Sequence, residues 1–165
     1  MKEFSIRPAE PEDASAIQHI RLMPGVSEWI LSLSTESATS IRQDILDPET
    51  YMFVAIDHAG SVIGYIKLSL RQHVRQRHKA RLSIAVDASC HGMGVGSGLL
   101  EAALTFADQQ LKLVKVDLTV QVENTGAAKL YERFGFVREG LCKYECINAG
   151  EYVDVYLMAR YCLPQ

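Results

Sequence analysis

The chain has 165 residues, of which 48% are hydrophobic and 22% are charged, and its formal net charge at pH 7 is −3. This length and composition predict one core of ordinary size and a single domain spanning residues 1–165. The slightly acidic balance argues against a nucleic-acid partner. There is no CxxC pair, no apolar signal segment and no apolar run near the roughly 18 residues of a membrane span, so we expect a cytoplasmic protein without a membrane partner.

The first half of the chain alternates extended and helical patterns. A proline and acidic residues predict a helix start soon after the opening strand, and apolar residues at helical spacing predict a second helix that ends at Asp47-Pro48. Two hydrophobic runs around a turn predict a hairpin. In chain order the predicted elements are a strand over 4–8, a helix from residue 11, an irregular segment through Trp29, a helix over 38–46, and strands over 51–57 and 62–70.

The second half alternates strands with helices. Residues 71–81 contain five Lys/Arg and two His, and we interpret them as a solvated basic hairpin. The predicted elements that follow are a strand over 82–87, a glycine-rich turn, a helix over 95–110, a strand over 113–122, a helix over 125–134, a strand from Phe136 and a last strand over 152–159. This order predicts a mixed sheet covered by about four helices, an α/β or α+β fold.

The glycine-rich turn, "HGMGVGSG" at His91–Gly98, holds four glycines in eight residues. Its place before a helix leaves free backbone N–H groups, which favour an anion, and glycine lets the backbone approach a phosphate closely. A mononucleotide P-loop needs a lysine before Ser97, and a dinucleotide fingerprint needs a glycine at position 97; the sequence has neither. From these residues alone, the alternative to an anion-binding loop is a tight connection between strand and helix that binds no ligand.

Three segments together resemble the GNAT superfamily of N-acetyltransferases. The loop His91–Gly96 is similar to its acetyl-CoA loop, Arg/Gln-x-x-Gly-x-Gly/Ala, with His91 in the place of the usual Arg or Gln. "VENTGAAKLYERFGF" (122–136) resembles its second motif, and "IRPAEPEDASAI" (6–17) resembles its opening strand and first helix. The segments occur in the family's order over nearly the whole chain. The resemblance implies a GNAT-type mixed, mostly antiparallel sheet of about seven strands flanked by about four helices.

A narrower similarity concerns the acceptor. "LTVQVENTGAAKLYERFGF", "EYVDVYLMARY" and "PGV" after the first helix are similar to a bacterial branch, the YhhY-type L-amino acid N-acetyltransferases. The resemblance thus implies transfer of an acetyl group from acetyl-CoA to the primary amine of a small molecule, an L-amino acid, by direct attack in a ternary complex. Peptide or protein N-termini, polyamines and a non-catalytic acyl-CoA sensor are the alternatives. Because family members often pair, a homodimer is an expectation; no metal is expected.

The resemblance also implies which residues hold the cofactor. Backbone amides of the glycine loop are expected to bind the pyrophosphate of acetyl-CoA, and the strand before the loop is expected to pair with the pantetheine arm like an added strand. The residues so implied are Ile84, Ala85, Val86, His91, Gly92, Met93, Gly94, Val95, Gly96, Ser97, Asn124 and Tyr131.

Tyr131 stands at the family position of the acid that protonates the departing thiolate. Asn124 precedes Tyr131 by seven residues, or two helical turns, so both side chains can face the cofactor. A purely structural core tyrosine is the alternative for Tyr131.

The group that accepts the proton of the amine is left open. Many relatives carry a carboxylate on the strand before the loop, where this chain has Arg81. His78, Glu28 and Glu151 are the alternatives near the acceptor, and Trp29 is either a wall of the acceptor pocket or a core anchor. An α-amino group, with a pKa of about 8, demands less of a base than a lysine-type amine, which favours an amino acid or an N-terminus over a polyamine.

Overall fold

Strands rich in hydrophobic residues build a seven-stranded sheet in the part of the chain that the computed structural model describes, residues 3–31 and 33–165. The strands are β1 (Phe4–Pro8), β2 (Thr50–Asp57), β3 (Val62–Leu70), β4 (Lys79–Val86), β5 (Lys115–Gln121), β6 (Val137–Asn148) and β7 (Glu151–Tyr161). The helices are α1 (Ala14–Leu22), α2 (Ala38–Leu46), α3 (Val95–Gln109) and α4 (Thr125–Arg133). The predicted elements are therefore confirmed, with ends that differ by a few residues.

The sheet order is β1-β2-β3-β4-β5-β7-β6. All of its neighbouring strands run antiparallel except β4 and β5, which are parallel over the three pairs from Lys79↔Lys115 to Arg81↔Asp117. The crossover between these parallel strands carries α3, as a parallel connection requires. This is the mostly antiparallel mixed sheet with four helices that the resemblance implied.

Two apolar clusters cover the two faces of this sheet. One joins α1 and α2 to the sheet and includes Ile17, Ile20, Ile41, Tyr65 and Ala85. The other joins α3 and α4 to the opposite face and includes Leu82, Leu99, Leu118, Tyr131 and Phe136. Because side chains alternate along a strand, each residue of β4 and β5 can be assigned to one face from these clusters.

The basic segment 71–81 differs from its predicted form. The interpretation as a solvated hairpin holds for residues 72–78, which are exposed between the antiparallel strands β3 and β4. It is wrong at both ends, because β4 already begins at Lys79 and both Arg71 and Arg81 form ion pairs with Asp117, at 3.3 Å and 2.5 Å. Asp117 is only 8% exposed. Burying a carboxylate without a cationic partner is unfavourable in free energy, and the ion pairs with both guanidinium groups stabilise Asp117 in its buried position.

Candidate active site

The site begins where β4 and β5 separate. Their pairing ends at Arg81↔Asp117, yet β4 continues to Val86 and β5 to Gln121. Each strand pairs with another neighbour on its far side, but the two edges that face each other beyond Arg81 carry backbone N–H and C=O groups without a strand partner. Such edges bind an extended polar chain in the manner of an added strand.

A cavity of about 1120 Å³ occupies this opening. It exceeds the roughly 300–1,000 Å³ of an ordinary small-ligand pocket, which leaves room for two reactants. Most of the predicted cofactor residues line it: Ile84, Ala85, Val86, His91, Gly92, Gly94, Val95, Gly96, Ser97, Asn124 and Tyr131. Met93 does not; it lines a separate cavity near the start of β1 and the β2–β3 turn.

The four loop glycines meet two different physical requirements. Gly92 and Gly94 have φ of +77° and +83°, in the left-handed region that favours glycine, and Gly94 is the N-cap of α3. Gly96 and Gly98 have no such φ; a Cβ would lie 3.2 Å from Leu130 at Gly96 and 2.8 Å from Phe4 at Gly98. The first two glycines thus shape the turn, and the last two let α3 pack closely.

The start of α3 presents backbone donors to the cavity. The N–H of Gly98 donates to the carbonyl of Gly94 at 3.0 Å. Val95, Gly96 and Ser97 precede the first residue whose N–H has an intrahelical partner, and all three line the cavity. Together with the helix dipole they can bind an anion.

His91 has a local structural contact. Its Nε2 lies 2.9 Å from the carbonyl oxygen of Val86, and the residue is exposed. This contact closes the loop against the end of β4, so the ring of His91 supports the turn while its backbone lines the cavity.

Tyr131 enters the cavity from α4. The helix is capped by the Asn124 side chain, which accepts the N–H of Ala127 at 3.3 Å, as asparagine N-caps do. Tyr131 is 8% exposed, and among the described residues no hydrogen-bond acceptor or donor is assigned to its hydroxyl. Burial, with a smaller contribution from Tyr65, raises the pKa of Tyr131 to about 12. The hydroxyl is therefore protonated, and so able to donate a proton, throughout the neutral range.

The α1/α2 side of the cavity is built by Trp29, Arg21, Tyr65 and Gln121. The Nε of Arg21 donates to both carboxylate oxygens of Glu36, at 2.8 and 2.9 Å, and its Nη1 contacts the Tyr65 hydroxyl. Burial raises the pKa of Tyr65. Gln121, 7% exposed, donates from Nε2 to the carbonyl of Glu28 at 2.8 Å and accepts from Asn148 at 3.0 Å.

The comparisons with known proteins agree with this geometry. The family model "Acetyltransferase (GNAT) family" matches residues 16–136. The chain belongs to the GNAT family of acetyltransferases. It is 36% identical to the L-amino acid N-acetyltransferase AaaT of Escherichia coli over 97% of this chain and 99% of that protein. It is 34% identical to a spermidine N(1)-acetyltransferase of Vibrio cholerae over 94% of this chain and 91% of that one.

A solved structure of similar fold supports the cofactor assignment. Spermidine N-acetyltransferase from Vibrio cholerae in complex with CoA and spermine superposes with a TM-score of 0.84 at 27% identity, covering 98% of this chain and 96% of that chain. This GNAT protein is therefore an N-acetyltransferase that uses acetyl-CoA, as the resemblance implied. The donor-rich start of α3 suits a pyrophosphate, and the unpaired strand edges suit the amide-bearing pantetheine arm.

Three of the predicted acceptor-side residues of this acetyltransferase lie outside the cavity lining. Glu28 offers its backbone carbonyl to Gln121, while its carboxylate accepts the N–H of Gly25 at 2.8 Å. His78 is exposed at the start of β4, where its carbonyl accepts backbone bonds from Val114 and Lys115. Glu151 is exposed at the β6–β7 turn. None of the three side chains is placed to accept a proton within the cavity.

Among the cavity residues of this GNAT protein that the sequence analysis did not point to are Arg21, Tyr65, Gln121, Arg133 and Glu145. Arg21 and Gln121 are polar residues within apolar elements, and that mismatch is the one signal that could have marked them.

A membrane-spanning helix is not found in the part of the chain that the structure describes, because its helices lack the necessary length and apolar character.

Proposed function

We propose that this GNAT enzyme transfers the acetyl group of acetyl-CoA to the α-amine of a free L-amino acid, by direct attack of the amine on the thioester while both reactants are bound. The observation that carries the proposal is the charge of the cavity. Among the described lining residues, three are arginines, Arg21, Arg81 and Arg133, and one, Glu145, is acidic. Arg21 and Arg81 are paired with Glu36 and Asp117, which are not among these lining residues, so the surface that faces the cavity is guanidinium rather than carboxylate. A zwitterionic or anionic acceptor suits such a surface better than a polycation does. The similarity to an L-amino acid N-acetyltransferase supports the same acceptor class.

The cofactor is held by main-chain groups. The N–H groups of Val95, Gly96 and Ser97 bind the pyrophosphate, and the open edge of β4 from Ile84 to Val86 hydrogen-bonds the amides of the arm. These contacts need a particular backbone path rather than particular side chains. The GNAT loop therefore tolerates His91 in place of the usual Arg or Gln.

Tyr131 serves as the general acid. Acetyl-CoA supplies an activated thioester, and a buried phenol whose pKa is about 12 keeps its proton until a more basic group forms beside it. A thiolate expelled inside the cavity is such a group, because removal of water disfavours its charge. The hydroxyl of Tyr131 then donates its proton to that sulfur.

Glu145 serves as the proton acceptor, directly or through one water. It is the acidic residue among the described cavity-lining residues, and it lies on β6 beside Cys146, whose pKa is raised by burial and by the charge of Glu145. The amine loses its proton as it attacks the thioester, and an exposed carboxylate, directly or through a bound water, can accept that proton.

A polyamine is the second acceptor class, favoured by the similarity to spermidine acetyltransferases. The single acidic lining residue disfavours it, because several protonated amines in one cavity need several carboxylates. The test is release of the CoA thiol over a panel of L-amino acids, their amides, short peptides, spermidine and spermine. We expect the highest kcat/KM for free L-amino acids; a higher value for a polyamine or a peptide would contradict the proposal.

A further inference from the structure

Arg71, Arg81 and Asp117 form a cluster at the point where β4 and β5 separate. The Nε of Arg81 lies 2.5 Å from Oδ1 of Asp117, and Nη2 of Arg71 lies 3.3 and 3.4 Å from its two oxygens. Two guanidinium groups share one carboxylate. The cluster therefore carries one uncompensated positive charge, with each arginine side chain about two-thirds buried.

The hydrogen bonding of this cluster is also incomplete. The Nε atoms of Arg71 and Arg81 are both buried and have no well-aligned acceptor among the described residues. Arg81 lines the cavity, whereas Arg71 does not. Arg81 thus places a partly buried guanidinium group at the wall of the cavity, and such a cation can bind an anion of the ligand.

The side of the sheet identifies which ligand the cluster faces. Arg81 is four residues along β4 from Ala85, an even number, and Ala85 and its partner Tyr65 belong to the α1/α2 cluster. Arg81 and its partner Asp117 therefore share that face. Arg21, Tyr65 and Trp29 border the cavity from the same side. The start of α3 lies beside Val86, because a Cβ on Gly96 would be 3.9 Å from the Val86 side chain. Val86 is five residues along β4 from Arg81, or about 16 Å in an extended strand. Arg81 is thus remote from the pyrophosphate position.

From these contacts we propose that Arg81 binds the α-carboxylate of the acceptor and is the residue that selects free amino acids. The inference rests on the proposed function and adds the recognition element to it. When the pantetheine arm of acetyl-CoA pairs with β4 from Val86 to Ile84, its thioester end lies towards Arg81. In an α-amino acid the amine and the carboxylate are attached to the same carbon, so an amine at the thioester places its carboxylate a few ångströms away. A peptide N-terminus or a polyamine has no carboxylate there.

This role also accounts for an arginine where relatives carry an acid. A guanidinium cannot accept a proton at physiological pH, so residue 81 does not act as the base in this chain. Its planar fork of donors suits a carboxylate. Asp117 keeps Arg81 on the sheet, and Arg71 offsets part of the charge of Asp117, which leaves Arg81 available to a second anion.

The experiment compares kcat/KM for an L-amino acid with kcat/KM for its primary amide and its decarboxylated amine, in the wild type and in Arg81→Gln, Arg81→Lys and Lys67→Gln. Lys67 is the matched control: it is a cation on the same face, bound to Asp44 at 2.9 Å and absent from the cavity lining. Folding is monitored by thermal unfolding, and cofactor binding by the Kd of CoA.

We expect the wild type to prefer the acid over the amide at least tenfold. Arg81→Gln should reduce that ratio to near one by lowering kcat/KM for the acid alone. Arg81→Lys should retain part of the preference, and Lys67→Gln should leave it unchanged. An equal decrease in kcat/KM for the acid, the amide and the amine in Arg81→Gln would overturn the inference, because it would show that Arg81 only stabilises the structure of the site. A wild type that acetylates polyamines best would overturn the acceptor class as well, whereas efficient turnover of amino acid and amide alike would overturn only the role of Arg81.

Discussion

The side-chain amide of Gln121, on β5, donates a hydrogen bond of 2.8 Å to the backbone carbonyl of Glu28, 93 positions earlier in the chain. The same amide accepts a bond from Asn148 at the β6–β7 turn. One buried side chain thus joins three segments around the acceptor side of the cavity, including the one that carries Trp29.

Loss of this junction should affect the acceptor more than the cofactor. We expect Gln121→Ala to raise the KM of the acceptor several-fold while the Kd of CoA changes little, since the start of α3 is untouched. Leaving the partners unpaired should cost about 1–2 kcal/mol of unfolding free energy. Gln18→Ala is the control, because Gln18 makes a similar bond to the Glu36 carbonyl at 2.7 Å and does not line the cavity. An unchanged acceptor KM in Gln121→Ala would refute this role.

Removal of the Tyr131 hydroxyl should slow the chemical step. We expect Tyr131→Phe to lower kcat roughly 100-fold or more, the usual contribution of a positioned acid, with CoA affinity close to that of the wild type. Tyr51→Phe is the control, since Tyr51 packs against Phe106 away from the cavity.

The pH profile gives a second test of Tyr131. Because its pKa is raised to about 12, the acid form is present at every pH below that value, and its ionisation should cause no loss of rate between about pH 6 and pH 10. A descending limb in that interval that disappears in Tyr131→Phe would mean that Tyr131 ionises below pH 10, which would contradict its raised pKa but not its role as the acid; a profile and a kcat unchanged in Tyr131→Phe would contradict the role itself.

The left-handed turn at Gly94 should be sensitive to a side chain. Gly94 has φ of +83° with open space around it, so Gly94→Ala adds strain without a clash. We expect a loss of roughly 1–2 kcal/mol of stability and weaker CoA binding, measured by calorimetry, because the N–H groups that follow would turn away. Gly140→Ala, with no positive φ and no atom within 4 Å, is the control and should change neither quantity.

Asp108 should contribute to stability at neutral pH. Two hydrogen bonds from Arg160, at 2.9 and 2.7 Å, hold the pKa of the Asp108 carboxyl below its usual value. A carboxyl with a lowered folded-state pKa stabilises the fold above its unfolded pKa of about 3.9, and that contribution is lost as the pH falls through the folded value.

We therefore expect Asp108→Asn to lower the free energy of unfolding by about 1–3 kcal/mol at pH 7, as measured by urea unfolding. The difference in unfolding free energy between the variant and the wild type should become smaller below about pH 3. Glu132→Gln is the control: its pair with Arg138, at 3.4 Å between two half-exposed side chains, should contribute less than about 1 kcal/mol. A gap for Asp108→Asn that stays constant down to the acid range would exclude the ionic contribution.

The local pattern of the sequence determined the elements, the glycine-rich loop before α3 and the family. The hydrophobic runs of β2 and β3, the glycines before α3 and the motif from Val122 to Phe136 are each encoded within a few neighbouring residues. Local periodicity and backbone conformation are governed by the residues themselves, so these features could be predicted without tertiary information.

Only the tertiary structure decided which side chains meet at the acceptor side. Arg81 faces Asp117 because β4 and β5 are parallel in one particular register, and Gln121 reaches Glu28 because β5 lies beneath the segment after α1. His78 and Glu151, which the sequence suggested, lie outside the cavity, while Glu145 lines it. Strand register depends on the summed burial of both faces of the sheet, so no stretch of sequence by itself encodes these encounters.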